Sequence, residues 1–208
     1  MMNSKPFICL SRRPAVQFLL LVICCVMAGC SDAPPARFRL NMVQMVSNGI
    51  AVDQQRDIAN VLTAMFGTPD DPFVLEETGV DLEKLRIAAG SVSSDERGNE
   101  VGLYRRHCAH CHGISGDGAG PTAAFLNPYP RDYRQGMFKF KSTERAARPT
   151  REDLNRILLH GIPGTAMPSF RLLPPGQIDA IIEYVMYLSM RGEMEAQLIA
   201  YVADELDE

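Results

Sequence analysis

Apolar and polar positions divide this chain into one early apolar run, several helical stretches and long intervals with no period. The run from Ala15 to Ala28, about 14 residues, follows Lys5, Arg12 and Arg13. Such a length suits a secretory signal and falls short of the ~20 residues that a spanning helix needs. From Asp53 onward Ile58, Val61, Leu62, Met65 and Phe66 recur at helical spacing, and Gly67 with Pro69 ends the element. Residues 68 to 97 are dense in Asp and Glu and broken by Pro69, Pro72 and Gly79, which predicts a strap with one short helical turn near Leu82 to Ile87. Helical pattern returns after Asn99 and runs into Cys108. Thr150 caps a further helix through Leu154, Ile157 and Leu158, with Glu152 and Asp153 in its first turn and Gly161 at its close. Pro175 opens the last clear helix, predicted to bury Ile178, Ile181, Ile182, Val185 and Leu188. Beyond Gly192, Met194, Leu198, Tyr201, Val202 and Leu206 are spaced as one face of another helix. No stretch reads as a strand. A mostly helical domain that keeps the long loops Gly113 to Gly136 and Ile162 to Leu173 needs something other than side chains at its centre.

The composition, 46% hydrophobic and 22% charged over 208 residues, allows one domain with extensions or two small ones. A net charge of −4 argues against a nucleic-acid binder held by phosphate contacts. The apolar run ends Met27-Ala28-Gly29-Cys30, which resembles the lipobox of bacterial lipoproteins, with Met where Leu is commoner. That resemblance implies a signal peptide over residues 1–29, acylation of Cys30 and a lipid anchor on the periplasmic side of a bacterial membrane. An uncleaved anchor, or ordinary cleavage after a small residue, is the competing reading. Residues 30–50 then read as a polar, Pro-containing tether, and residues 51–96 as a helical extension and strap. Signal removal takes three bases and no acid, so the net charge moves to −7. It also takes Cys9, Cys24 and Cys25, which leaves Cys108 and Cys111 as the cysteines of the folded part.

Those two stand in Cys108-Ala109-His110-Cys111-His112, the spacing of a covalent c-type haem site. Two thiols three positions apart near a helix end can each add to one vinyl group of the porphyrin, and the next histidine then lies beneath the iron. Three readings compete with it. A thioredoxin-type redox pair would follow a strand, a zinc site would want four ligands, and a structural disulfide would ignore His112. A sixth iron ligand is available in Gly161-Ile162-Pro163-Gly164-Thr165-Ala166-Met167-Pro168, a rigid apolar loop with a single thioether, although an isolated Met is commonly core filler. His160, at a helix end, is the alternative ligand. His107 and His110 are expected on the surface.

With Tyr104 four before the first cysteine, the following Gly113, the Gly116-Asp117-Gly118-Ala119-Gly120-Pro121 loop, the Met167-Pro168 loop and Tyr184-Val185 in the last helix, residues 97–191 resemble a monohaem class I cytochrome c. The resemblance implies an all-α fold of helices and long loops wrapped around one covalent haem c. It further implies that Pro121 offers its carbonyl to the free nitrogen of His112. The segment Asn127 to Tyr133, followed by Phe138-Lys139-Phe140, is similar to haem c subunits of respiratory complexes. Tyr129, Arg131 and Tyr133 are candidates for the haem propionates. Glu100 departs from the family, which often has glycine eight before the first cysteine; a shifted or wider helix crossing is implied.

The functional expectation is a membrane-anchored one-electron carrier with His112 and Met167 on the iron. Its expected partners are redox proteins: a quinol-oxidising membrane complex, a terminal oxidase or a reductase. A haem c subunit of a multisubunit oxidoreductase, or a haem peroxidase, is the alternative. Residues 131 to 156 hold eight bases against four acids, and residues 192–208 form an acidic helical tail with six acids and no base. The basic segment is therefore the expected docking face for an acidic partner.

Overall fold

The computed structural model describes residues 34–206 apart from Ala146; residues 1–29, expected to be a signal peptide, and Cys30 lie outside the described residues. Residues 36 onward form one compact unit. Its helices are α1 (Met42–Ser47), α2 (Val52–Phe66), α3 (Leu82–Ala88), α4 (Leu103–His107), α5 (Ala109–His112), α6 (Arg151–His160) and α7 (Pro175–Leu206). Helix α7 is the spine. Ile178, Ala180, Ile181, Ile182, Tyr184, Val185, Tyr187 and Leu188 are all buried, and burial on so many sides marks a helix surrounded by others. Helices α2, α3, α4 and α6 all pack on it.

Capping follows the side chains present. Asp81 caps α3 by accepting from Glu83 and Lys84 N–H, and Thr150 with Asp153 forms a capping box on α6. The 68 to 97 strap holds its expected helical turn at α3, and its Leu85 and Ala88 are fully buried.

Two short strands, β1 (Ser93–Ser94) and β2 (Glu100–Val101), pair antiparallel, so the expectation of no strand is corrected. They escaped notice because a turn closes them: the Asp95 carboxylate accepts from Arg97 and Asn99 N–H, and no apolar alternation is involved. Glu100 therefore stands in β2, outside the helix in which the family resemblance would put it. Gly102 follows with φ +74°, where a Cβ would meet the Ser91 carbonyl oxygen at 2.5 Å. Here α4 meets α7 through rings, Tyr104 stacked on Tyr184 at 4.6 Å and 29°.

Residues 36–50, expected as part of a tether over 30–50, instead belong to the compact unit that begins at Ala36. Phe38 and Leu40 point inward while Arg37 and Arg39 point out. The Phe38 ring lies 6.0 Å from Tyr187 and under the Arg191 guanidinium at 4.5 Å. Arg39 N–H donates to Ser115 Oγ at 2.6 Å, and Asn41 N–H donates to Glu195 at 2.5 Å. Met45 of α1 and Ile50 after it are buried.

The second helix expected after Gly192 is instead the continuation of α7 to Leu206. Gly192 does not stop the helix. It provides a close approach, since a Cβ there would meet Arg134 Cα at 2.2 Å. The tail acids Glu193 and Glu195 are also turned inward, to Arg148 and Arg191.

Candidate functional site

Helices α4 and α5 are separated by a break at Cys108, which ends one and begins the other. The carbonyls that α5 leaves open are taken up by the following loop: Gly118 N–H donates to His112, Gly120 to Cys111 and Thr122 to His110. Tyr104 hydroxyl donates to the Gly113 carbonyl at 2.9 Å and ties α4 to the same turn. Cys108 and Cys111 are free thiols. Burial pushes the Cys108 thiol up to about 12, with the neighbouring Cys111 adding to the effect. A redox-active pair needs the opposite, a thiolate at neutral pH. Among the described residues no group of three or more His, Cys, Asp or Glu side chains is placed to hold a metal ion, as a zinc site would require.

His112 is buried, and burial lowers its affinity for a proton below that of an exposed imidazole. Its Nδ1 lies 3.1 Å from the backbone carbonyl of Arg131. A carbonyl only accepts, so Nδ1 carries the hydrogen and Nε2 keeps its lone pair for a metal. This corrects the expectation for Pro121, which is exposed and outside the cavity lining. The reach of the 131 to 133 segment explains the exchange. Tyr133 N–H donates to Gly116 at 2.7 Å, which draws that segment across the imidazole. The Tyr133 ring stacks on His112 at 4.6 Å and 20°, and Phe138 stacks on Tyr133 at 5.7 Å and 9°.

These groups wall a cavity of about 340 Å³. Cys108, Cys111, His112 and Met167 all line it. So do Leu154, Ile157 and Leu158 of α6 and Ile181, Ile182 and Val185 of α7. The sequence pattern marked Ile181, Ile182 and Val185 as a buried face; the structure makes them, with the three from α6, cavity walls. Met167 is held by its own loop: its carbonyl accepts from Ile162 N–H at 3.1 Å and its N–H donates to Thr165 Oγ1 at 3.1 Å. Phe170 N–H returns to the Leu158 carbonyl of α6 at 2.7 Å, which fixes the loop against the cavity.

Of the other predicted residues, Tyr129 and Arg131 are exposed on the cavity rim, while Tyr133 is buried behind His112. Lys139, which the sequence places in the basic segment of the expected docking face, shares the rim. His110 is exposed as expected. His107 is half-buried with Nε2 unpartnered among the described residues, and its ring sits edge-on to Phe170 at 6.0 Å. His160 is exposed and lies outside the cavity lining.

The order of elements and this constellation have a counterpart among known proteins, for residues 96–189 match the family model described as cytochrome c. This part of the chain is a cytochrome c domain. No curated protein matches the chain. A chain of the reducing HAO-like protein complex of Kuenenia stuttgartiensis is similar at 29% identity and a TM-score of 0.40, over 46% of this chain and 43% of that one. The chain thus spans less than half the length of that relative. Family membership implies covalent haem c, and the cytochrome c domain fits such a group. It offers free thiols three residues apart, an imidazole with an open Nε2, a thioether in the same cavity and apolar walls.

Proposed function

We propose that the protein is a periplasmic one-electron carrier of a respiratory chain, anchored by lipid on Cys30 and holding one haem c through thioether bonds to Cys108 and Cys111. His112 and Met167 would hold the iron. The observation that carries this reading is the placement of both thiols, His112 and Met167 around one apolar cavity. Haem bound there supplies a one-electron couple, and His/Met ligation places it at a higher potential than bis-histidine ligation does.

The chain's own residues set the conditions. The Arg131 carbonyl holds the His112 imidazole in one tautomer and makes it a better donor to iron. Tyr133 and Phe138 fix the plane of that ring by stacking. Side chains of α6 and α7 exclude water and lower the dielectric around the cofactor. Arg131 and Lys139 at the rim are placed to offset carboxylate charge. A haem peroxidase would need an open sixth position, and Met167, which lines the same cavity, would fill it.

The reading as a haem c subunit of a multisubunit oxidoreductase is favoured by one observation. The compact unit begins at Ala36, only six residue steps from Cys30, a reach of at most about 20 Å. So short a leash suits a domain held beside a membrane complex better than one that ranges. The deciding experiment is a mass and a spectrum. The mature protein should carry one haem that acid-acetone does not extract, with a Met-iron charge-transfer band when oxidised and no carbon monoxide shift when reduced. A mass equal to the bare polypeptide sinks the proposal.

A further inference from the structure

We propose that the outward face of the strap Arg37 to Asn41 and of helix α1 is a docking surface for an anionic lipid bilayer. The inference rests on the anchored reading above for its setting, and on a separate set of observations for its substance. Met42, Val43 and Val46 share one side of α1 and are 48%, 81% and 70% exposed, while Met45 on the other side is fully buried. A helix that already seats Met45 in the core has no folding reason to present three apolar side chains to water.

Charge points the same way. Arg37 and Arg39 are exposed in the segment that leads into α1, and neither forms an ion pair among the described residues. Residues 34 to 52 contain these two bases and no acid, in a chain whose net charge is negative. Basic and apolar groups together on one exposed face are what an anionic lipid surface binds: the arginines meet headgroups and the apolar side chains enter the acyl boundary. A negatively charged redox partner would be served by the arginines but not by Val43 and Val46.

Chain length supplies the occupant. Six residue steps between Cys30 and Ala36 reach at most about 20 Å, so a bilayer holding Cys30 lies within reach of the strap. The strap cannot swing away, because Phe38 is seated beneath Arg191, and Ser115 and Glu195 accept from the Arg39 and Asn41 N–H groups. Since Ser115 belongs to the loop after the haem motif, docking this face orients the cavity relative to the membrane plane.

The test removes the anchor and leaves the surface. Signal-cleaved Cys30→Ala holoprotein is co-sedimented with phosphatidylglycerol-containing vesicles and with pure phosphatidylcholine vesicles. It should partition to the anionic vesicles and release as salt rises. Arg37→Gln with Arg39→Gln should weaken that partitioning roughly 30-fold, from about fivefold per arginine at a membrane surface. Val43→Ser with Val46→Ser should weaken it at every salt concentration. Equal partitioning to both vesicle types, or partitioning unchanged in either double variant, overturns the proposal. Self-association that the Val43→Ser, Val46→Ser variant abolishes would put a second copy of this chain on the face, and overturns it too. Whether Cys30 is acylated is read separately, from the mass of the wild-type N-terminal peptide, so failure of the anchor and failure of the surface are distinguishable.

Discussion

At the scale of single residues, the site is decided by what holds His112 rather than by His112 alone. One hydrogen bond from Nδ1 and one ring face against Tyr133 leave the imidazole a single orientation. Tyr133→Leu keeps an apolar neighbour but removes the stack. The variant should retain covalent haem and show a shifted or broadened axial-ligand signature in electron paramagnetic resonance. Met167→Ala should open the iron to carbon monoxide and lower the reduction potential. If that variant keeps the parental spectrum and potential, Met167 is not the ligand. His160 does not replace it readily, because its side chain stands outside the cavity.

At the scale of elements, α1 and the loop before α6 carry distinct predictions. Met45 is fully buried. Met45→Ala should therefore cost about 2–5 kcal/mol by chemical denaturation, whereas a free tether would show no change. Asp153 ties the 142 to 150 loop to α6: its carboxylate accepts from Ser142 and Thr150 N–H and from Arg156. These bonds hold its pKa below the ordinary carboxylate range, with the Ser142 N–H first among the causes. A depressed folded pKa stabilises the protein fully above the unfolded value of about 3.9 and stops doing so as pH falls through the folded one. Asp153→Asn should thus lower the thermal midpoint at pH 7, and the gap to wild type should close at strongly acidic pH. A gap that stays constant with pH would show that the charge does not matter.

At the scale of the whole molecule, charge is arranged differently from its order in sequence. Four arginines of the basic segment are spent internally: Arg134 on Asp132, Arg148 on Glu193, Arg151 on Glu183 and Arg156 on Asp153. Lys141 binds the carbonyls of Glu144 and Ala147 and acts as a staple within its loop. Arg131 and Lys139 remain on the cavity rim. Electron transfer with an acidic partner should therefore slow when Arg131 and Lys139 are changed to Glu, and the effect should fade as salt screens fields beyond about 10 Å at 0.1 M. Lys141→Glu should act on loop stability instead. Rates indifferent to the two rim reversals would place the contact on the apolar rim around Tyr129.

The sequence by itself determined the cytochrome c domain and its candidate ligands, because the haem motif, the Met167 loop and the helix periods are short-range patterns that need no partner to be read. Helices α2, α3, α6 and the start of α7 stand where their caps and apolar spacing put them. Only the tertiary structure decided which groups meet across long separations. The partner of His112 is a backbone carbonyl 19 residues away, and a carbonyl has no residue type to betray it. Residues 36 to 50 look like a spacer because each apolar side chain there is isolated; Tyr187, Arg191 and Glu195 of α7 are what turn them into part of the core. Gly192 reads as a helix stop until Arg134 is seen against it. Ion pairs such as Arg148–Glu193 join positions 45 residues apart, so the free charge of each surface followed from packing and not from composition.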